Sequence, residues 1–421
     1  MPLLGTRGAA SARGFGALAL LGGGYWIGLL TGTSNSIAQS IATDSFGNVY
    51  IAGGDELSGY DFEVVKYNSS GVLQWQRRLG GTAEQYPYGI SVDPSNNIYV
   101  CGYSNTPGHK QFQIAKYDAS GVIQWQRTLG DSLQEEGKSI AADSSGNVYV
   151  CGRSANSGQN DFQIAKYNTS GVIQWQRRLG NGTHYVEGNG VVVSPAGNVY
   201  VCGLDSNPSA YDFQLAKYNT SGVIQWQRSL DAGVKAVSIT LDSSENVYAC
   251  SEAGYLSKYN SAGVLQWQRY FGSSGDQLSA IASDSAGNVY ICGYTAANDI
   301  VVAKYDTAGV IQWQRSLGSS SGDYGYSVSA DSSGNVYLCG SSFQASKQNF
   351  IFAKLPNNGA LTGTYTVGGY LFTYAASSLS DVSTSFADAT SSLTDAASSL
   401  TDSASSLTDS ASSLTSTVTQ I

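Results

Sequence analysis

The chain contains no HExxH, no CxxC and no P-loop, and its two histidines are His109 and His184. That removes the commonest zinc, dithiol and nucleotide sites and leaves little material for an imidazole base. Charge is scarce: 13% of the 421 residues are charged, the formal net charge is −9, and no basic run occurs. No nucleic-acid partner is expected from that balance. Disulfides are not expected either. Cys101, Cys151, Cys202, Cys250, Cys292 and Cys339 fill one recurring strand slot, which holds Ala52 in its first copy. A slot that accepts alanine asks for a small buried side chain, and free packed thiols suit assembly in a reducing cytoplasm. What is plentiful is glycine, 50 residues, beside a 42% hydrophobic content, the mark of a turn-dense all-β protein with a large core.

The organising repeat is clearest from Ser139 to Gly180, SIAADSSGNVYVCGRSANSGQNDFQIAKYNTSGVIQWQRRLG. Four runs rich in Val, Ile, Phe and Tyr alternate with breaks rich in Gly, Asn, Asp and Ser, the pattern of antiparallel hairpins. The unit returns roughly every 50 residues and predicts an all-β, seven-bladed β-propeller of four-stranded antiparallel blades over residues 25–368. Tyr50, Tyr99, Tyr149, Tyr200, Tyr248, Tyr290 and Tyr337 mark seven copies, as do Lys66, Lys116, Lys166, Lys217, Lys258, Lys304 and Lys354. The fourth-strand tryptophan marks six: Trp75, Trp125, Trp175, Trp226, Trp267 and Trp313. Two segments could supply the seventh fourth strand: YWIGLLTG around Trp26, or GALTGTYTVG at 359–368, which has Gly363 at the tryptophan position. The N-terminal segment is favoured, because a Trp buries about 150–250 Å² and a Gly almost none. A ring zipped by both chain ends leaves no open edge between first and last blades.

No catalytic residue, metal or cofactor is expected. GSSSG at 318–322 spells a nucleophile elbow but falls in a blade-linking loop. Asp44, Asp93, Asp143, Asp242, Asp284 and Asp331 open DxxGN-type turns, with Ser194 in the fourth copy. One carboxylate per turn suits side-chain capping, not calcium. The lysine series and Arg77, Arg127, Arg177, Arg228, Arg269 and Arg315 of WQR read as stems packed on aromatic faces.

Comparison of the copies separates two rims. The turns after first and third strands, DSSGN and KYNTSG, hardly vary, whereas the connections after second and fourth strands differ in length and chemistry. A rim free of shared constraint is where contacts are expected. Its exposed candidates are Tyr60, Tyr86, Tyr88, Tyr103, His109, Glu135, Glu136, His184, Tyr185, Tyr211, Tyr324 and Tyr326. Tyrosine offers contact area and a hydrogen bond at little entropy cost.

From Ala375 the composition turns to Ser, Thr, Ala and Asp, while Leu379, Phe386, Leu393, Leu400, Leu407, Leu414 and Ile421 recur every seven residues. Ala376, Ser383, Thr390, Ala397, Ala404, Ala411 and Val418 precede them by three. This a/d seam predicts a heptad-patterned α-helical tail over 369–421, a coiled coil joining copies into a homo-oligomer. Ser and Thr are poor helix formers, so a disordered tether is the alternative.

Residues 1–24, MPLLGTRGAASARGFGALALLGGG, form a Gly/Ala-rich segment. The charge-free run 14–30 has the length of a signal core or span, but its glycines and lack of an A-x-A site argue against export and membrane insertion. MPLLGTRGAASARGFG resembles the opening of virion-associated proteins of marine tailed bacteriophages, where it looks like an attachment module. The repeats, such as DSSGNVYVCGRS and DFQIAKYNTSGVIQW, resemble the SBBP family of β-propeller repeats over roughly residues 36–368. The two resemblances together imply a non-enzymatic virion protein, assembled in the host bacterial cytoplasm. Its role would be that of a tail-fibre or capsid-surface adhesin contacting other virion proteins and a host-surface receptor or glycan. The alternatives are a purely structural virion protein and a secreted bacterial cell-surface propeller.

Overall fold

The computed structural model describes residues 24–420 apart from 32–33, 57–59, 82, 107–108, 131–133, 157–158, 181–182, 208–209, 231–232, 385–387, 390–393, 398–401, 405–407 and 412–414. The expected attachment segment, up to residue 23, therefore lies outside the described residues. Seven antiparallel sheets form the seven blades, at residues 36–80, 85–129, 135–180, 185–230, 236–271, 277–318 and 323–355. Each of the first six supplies four consecutive strands; in the first they are Ser36–Thr43, Val49–Asp55, Asp61–Tyr67 and Leu73–Gly80. The innermost strand of each blade packs on that of the next, and Ser36–Thr43 packs on Asp323–Ala330 to close the ring.

The seventh blade takes its fourth strand from the N-terminal side. Trp26–Thr31 pairs antiparallel with Lys347–Leu355, Trp26 facing Lys354, and the Trp26 side chain is fully buried. The rival segment does something else. Gly363–Val367 forms a hairpin with Tyr370–Ala376, and the latter strand pairs with the outer strand of blade six, Ile311–Gly318.

The apolar clusters join neighbouring blades: Tyr50, Ala52 and Phe62 of the first pack with Ile90, Ile98 and Val100 of the second. A polar clamp repeats over that packing. The Trp75 indole N–H and the Lys66 ammonium both donate to the Ala119 carbonyl of the next blade, each at 3.1 Å. Arg77 Nε donates to Gly121 O at 2.6 Å, two residues on in the same hairpin turn. The set recurs at Trp125, Lys116 and Arg127, and Trp26 with Lys354 completes it on Ser69 O across the closure. Lys66 also lies 5.2 Å from the Tyr50 ring centroid. The repeated cations thus spend their charge on blade-to-blade contacts, which accounts for one of each per copy.

The DxxGN turns are capped as their spacing requires. Asp44 Oδ1 accepts from the amides of Phe46 and Asn48, and Oδ2 from the Asn48 side chain and the buried Tyr50 hydroxyl. All six cysteines are buried and free, and burial pushes their thiols up, that of Cys292 to about 12.

The helical expectation for the tail is not confirmed: among the described residues 370–420 contains strands and no helix. Asp381–Ser383 pairs with the outer strand of blade five, Asp388–Ala389 with that of four, Thr394–Ala397 with three, Asp402–Ala404 with two, Thr408–Ala411 with one, and Thr415–Gln420 with the closing strand of seven. Residues with weak helix propensity meet a row of open strand edges, and ladder pairing wins. Leu379 is partly buried against the apolar cluster shared by blades five and six, which includes Phe271 and Tyr305. Phe386, Leu393, Leu400, Leu407, Leu414 and Ile421 lie outside the described residues.

Candidate functional site

Each innermost strand carries one β-bulge at the same place. In blade one Ala38 faces Gly53 and Ser40 faces Ala52, so Gln39 has no partner of its own in the ladder. The equivalent residues are Tyr88, Lys138, Asn189, Val237, Ser279 and Tyr326. A bulge re-aims the extra side chain and bends the strand. Here all seven residues point to one mouth of the central channel, where they line a cavity of about 480 Å³ with Glu187, Lys235, Glu252, Gln277 and Tyr294. The bulge accounts for the glycine that follows five of the six cysteines, Ser251 following Cys250. A Cβ on Gly152 would overlap the Glu136 carbonyl oxygen, and one on Gly102 that of Tyr86.

This mouth opens on the variable rim. The opposite mouth is a recess of about 370 Å³ walled by the invariant turns, among them Asp44, Asp93 and Asp143. The monotonous and diversified faces seen in the sequence are thus two ends of one axis.

Chemically the mouth has two arcs. Across blades six, seven, one and two run tyrosines: Tyr294 to Tyr324 at 4.9 Å between ring centroids, Tyr324 stacked on Tyr326 at 6.5 Å, then Tyr60 to Tyr86 at 5.5 Å and Tyr86 to Tyr88 at 5.2 Å. Gln39 Nε2 of blade one donates to the Tyr86 hydroxyl at 2.5 Å. Burial and the Glu56 carboxylate raise the Tyr60 hydroxyl to about 12.

Blades three to five carry the charge. Glu136 is buried beneath Lys110 at 2.8 Å, Arg153 at 2.7 Å and Lys138 at 2.7 Å. Burial alone would push its carboxyl up, but the three cations outweigh this and hold it at about 2. Lys138 also reaches Glu187 at 3.6 Å and lies 3.9 Å from the Tyr88 ring centroid, where the two arcs meet. Lys235 pairs with Glu252 at 2.8 Å.

Most of the expected contact residues gather here, though not all as exposed groups. Tyr60, Tyr86, Tyr88, Tyr324 and Tyr326 form the aromatic arc. Tyr103 is buried under Tyr86 and Tyr88, and Glu135 and Glu136 are buried too, so these three support the surface and do not present it. Tyr185 bridges Arg153 and Glu187. His184 Nδ1 contacts Asp205 at 3.1 Å, on the start of blade four. His109 faces Thr106 at a hairpin end, and Tyr211, half exposed, faces Ser206 on the blade-four hairpin; neither lines the cavity. Gln39, Lys138, Asn189, Val237 and Ser279 were not singled out from sequence. Their signal was present: the residue before SI, GI, SI, GV, SI, AI and SV in the seven copies reads Q, Y, K, N, V, S, Y.

Family models add to this geometry. The β-propeller repeat model SBBP matches residues 26–53, 74–109, 124–158, 266–300 and 312–342. Five segments of the chain thus match that repeat model. A second β-propeller model, a domain of unknown function called DUF5122, matches 144–173. No curated protein sequence matches. Among solved structures the propeller is similar to U3-55K, at 9% identity over 78% of this chain and 98% of that one, with a TM-score of 0.55. It is also similar to virginiamycin B lyase from Staphylococcus aureus, at 11% identity over 79% and 99% of the two chains, with a TM-score of 0.53. At such identities the likeness concerns the fold alone, and it spans an enzyme. None of these matches links the chain to virion proteins.

Proposed function

We propose that the protein is a non-enzymatic binding module that takes a glycan, or a glycan-bearing receptor, in the mouth of its variable rim. The observation that carries this reading is the set of seven bulge residues, different in nearly every blade, that a uniform scaffold aims at one cavity. Tyrosine faces on one side suit the C–H face of a sugar ring, and the amides and ion pairs opposite suit its hydroxyls. The carboxylates lining the mouth, Glu187 and Glu252, are engaged by Lys138 and Lys235, which favours recognition over acid–base work. The setting we propose is a tail-fibre or capsid-surface adhesin of a phage virion, held among other virion proteins; this rests on the N-terminal resemblance. A purely structural virion protein and a secreted bacterial surface propeller are its competitors.

Glycan-array and host-cell binding of the full chain test the reading. Tyr88→Ala and Tyr326→Ala should each weaken binding at least tenfold, about 1.4 kcal/mol. Phe46→Ser, at an exposed position on the uniform rim, should not. No binding by the intact chain sinks the adhesin, and release of altered sugar in the same assay would make it an enzyme, as one of the similar propellers is. Mass spectrometry of purified virions decides the setting.

A further inference from the structure

The tail meets the ring with a fixed pitch. Tyr374, Asp381, Asp388, Asp395, Asp402, Asp409 and Ser416 recur every seven residues. They face Leu317, Phe271, Leu230, Leu179, Leu129, Leu79 and Leu30, the same register position on the outer strands of blades six, five, four, three, two, one and seven. Seven residues extend at most about 23–25 Å, so one heptad is a step from blade to blade.

A second regularity lies on the ring itself. The third strand ends in Tyr67, Tyr117, Tyr167, Tyr218, Tyr259 and Tyr305 in blades one to six, but in Leu355 in blade seven. All are fully buried. Asp381, on blade five, accepts the hydroxyl of Tyr305 from blade six at 2.9 Å. One step earlier, on blade six, the tail residue is Tyr374, which shares an apolar cluster with Leu355 of blade seven. Where the ring offers a hydroxyl the tail offers an acceptor; where it offers a leucine the tail offers a ring. A buried tyrosine hydroxyl requires a partner.

From these two regularities we infer that the C-terminal repeat is a belt with one strand and one anchor per blade. In the ladder Asp388, Asp395, Asp402, Asp409 and Ser416 hold the register position of Asp381, and Tyr259, Tyr218, Tyr167, Tyr117 and Tyr67 hold the strand position of Tyr305 in the blade beside each. The outer edge of each blade, with the tyrosine of its neighbour, is then a docking surface whose occupant is a heptad of this same chain. The seven-residue period is the circumference of the ring divided by its blades, not the seam of a coiled coil.

Frame-shifting the belt in the full chain tests this, read by amide hydrogen exchange. Inserting one glycine after Ser399 should leave the outer strands of blades five, four and three protected. Those of blades two and one and the closing strand of seven should exchange at least tenfold faster. Deleting seven residues, 394–400, keeps the phase and should expose one blade instead of three. Tyr218→Phe and Asp395→Asn should each speed exchange at Arg178 and Leu179, and the double variant no more than either alone. Uniform protection after the insertion would overturn the belt. So would a full chain that sediments as an oligomer and becomes a monomer on Leu400→Asp, the coiled-coil result.

Discussion

At the residue scale, the fourth blade shows how a missing group is replaced. Its turn has Ser194 where the six others have the capping Asp, a change that by itself leaves Tyr200 and Asn198 without that acceptor. Glu245, in the turn of the fifth blade, stands where the other copies have glycine or asparagine, holds φ at 59°, and accepts the Tyr200 hydroxyl at 2.6 Å and the Asn198 amide at 3.1 Å. Glu245→Gly should relieve that backbone but cost about 1–3 kcal/mol by orphaning Tyr200. Adding Ser194→Asp should recover most of the loss, measured as denaturation midpoints around the double-mutant cycle. Glu136 supplies the clearest pH dependence. Its folded pKa, about 2 against an ordinary 4.5, is depressed. Its contribution is therefore complete above pH 4.5 and lost as pH falls towards 2. Glu136→Gln should lower stability at neutral pH by about 3 kcal/mol, since it leaves three cations around a neutral group. The same variant should flatten the acid limb of a stability-against-pH curve in that window.

At the element scale, a bulge decides whether a strand faces its neighbour or the axis. Gly152→Ala should destabilise by about 1–3 kcal/mol, because the new methyl overlaps the backbone that the bulge folds back, and it should displace Lys138 from Glu136. Ser251 fills the same slot in the shortened fifth blade, where its Oγ accepts from the Tyr255 amide at 3.0 Å, so Ser251→Ala should cost only that hydrogen bond, about 1 kcal/mol, with no overlap to relieve. Thermal melts of the two variants side by side check the contrast. The strands, their turns and the closing role of Trp26 were legible in the sequence, since each follows from a local pattern repeated seven times. The bulges were not read, because the CG step looks like an ordinary strand residue until its partner strand is known. The tail is ambiguous in sequence for a related reason: a period of seven describes a helix seam and a seven-spoked belt equally well. Only the edges it lies against tell the two apart. Glu136 was read as a loop charge because its counterions, Lys110, Lys138 and Arg153, sit on three different strands.

At the scale of the whole molecule, closure turns a row of blades into one cooperative body. In a linear stack each unit feels its neighbours, and damage to the last frays only that end. In a ring the blade closed by Trp26–Thr31 has neighbours on both sides, and its loss leaves two open faces. Trp26 is buried between blades seven and one, against Phe352 at 5.6 Å and Tyr337 at 6.5 Å, with its indole N–H on Ser69 of the first blade. Trp26→Ala should therefore cost about 3–5 kcal/mol. That cost should appear everywhere: the slowest-exchanging amides of blades three and four, on the far side of the ring, should lose as much protection as those of blades seven and one. If instead exchange quickened only next to the closure, the blades would be opening independently. The central mouth, which needs all seven bulges at once, would then have no fixed shape with which to recognise a ligand.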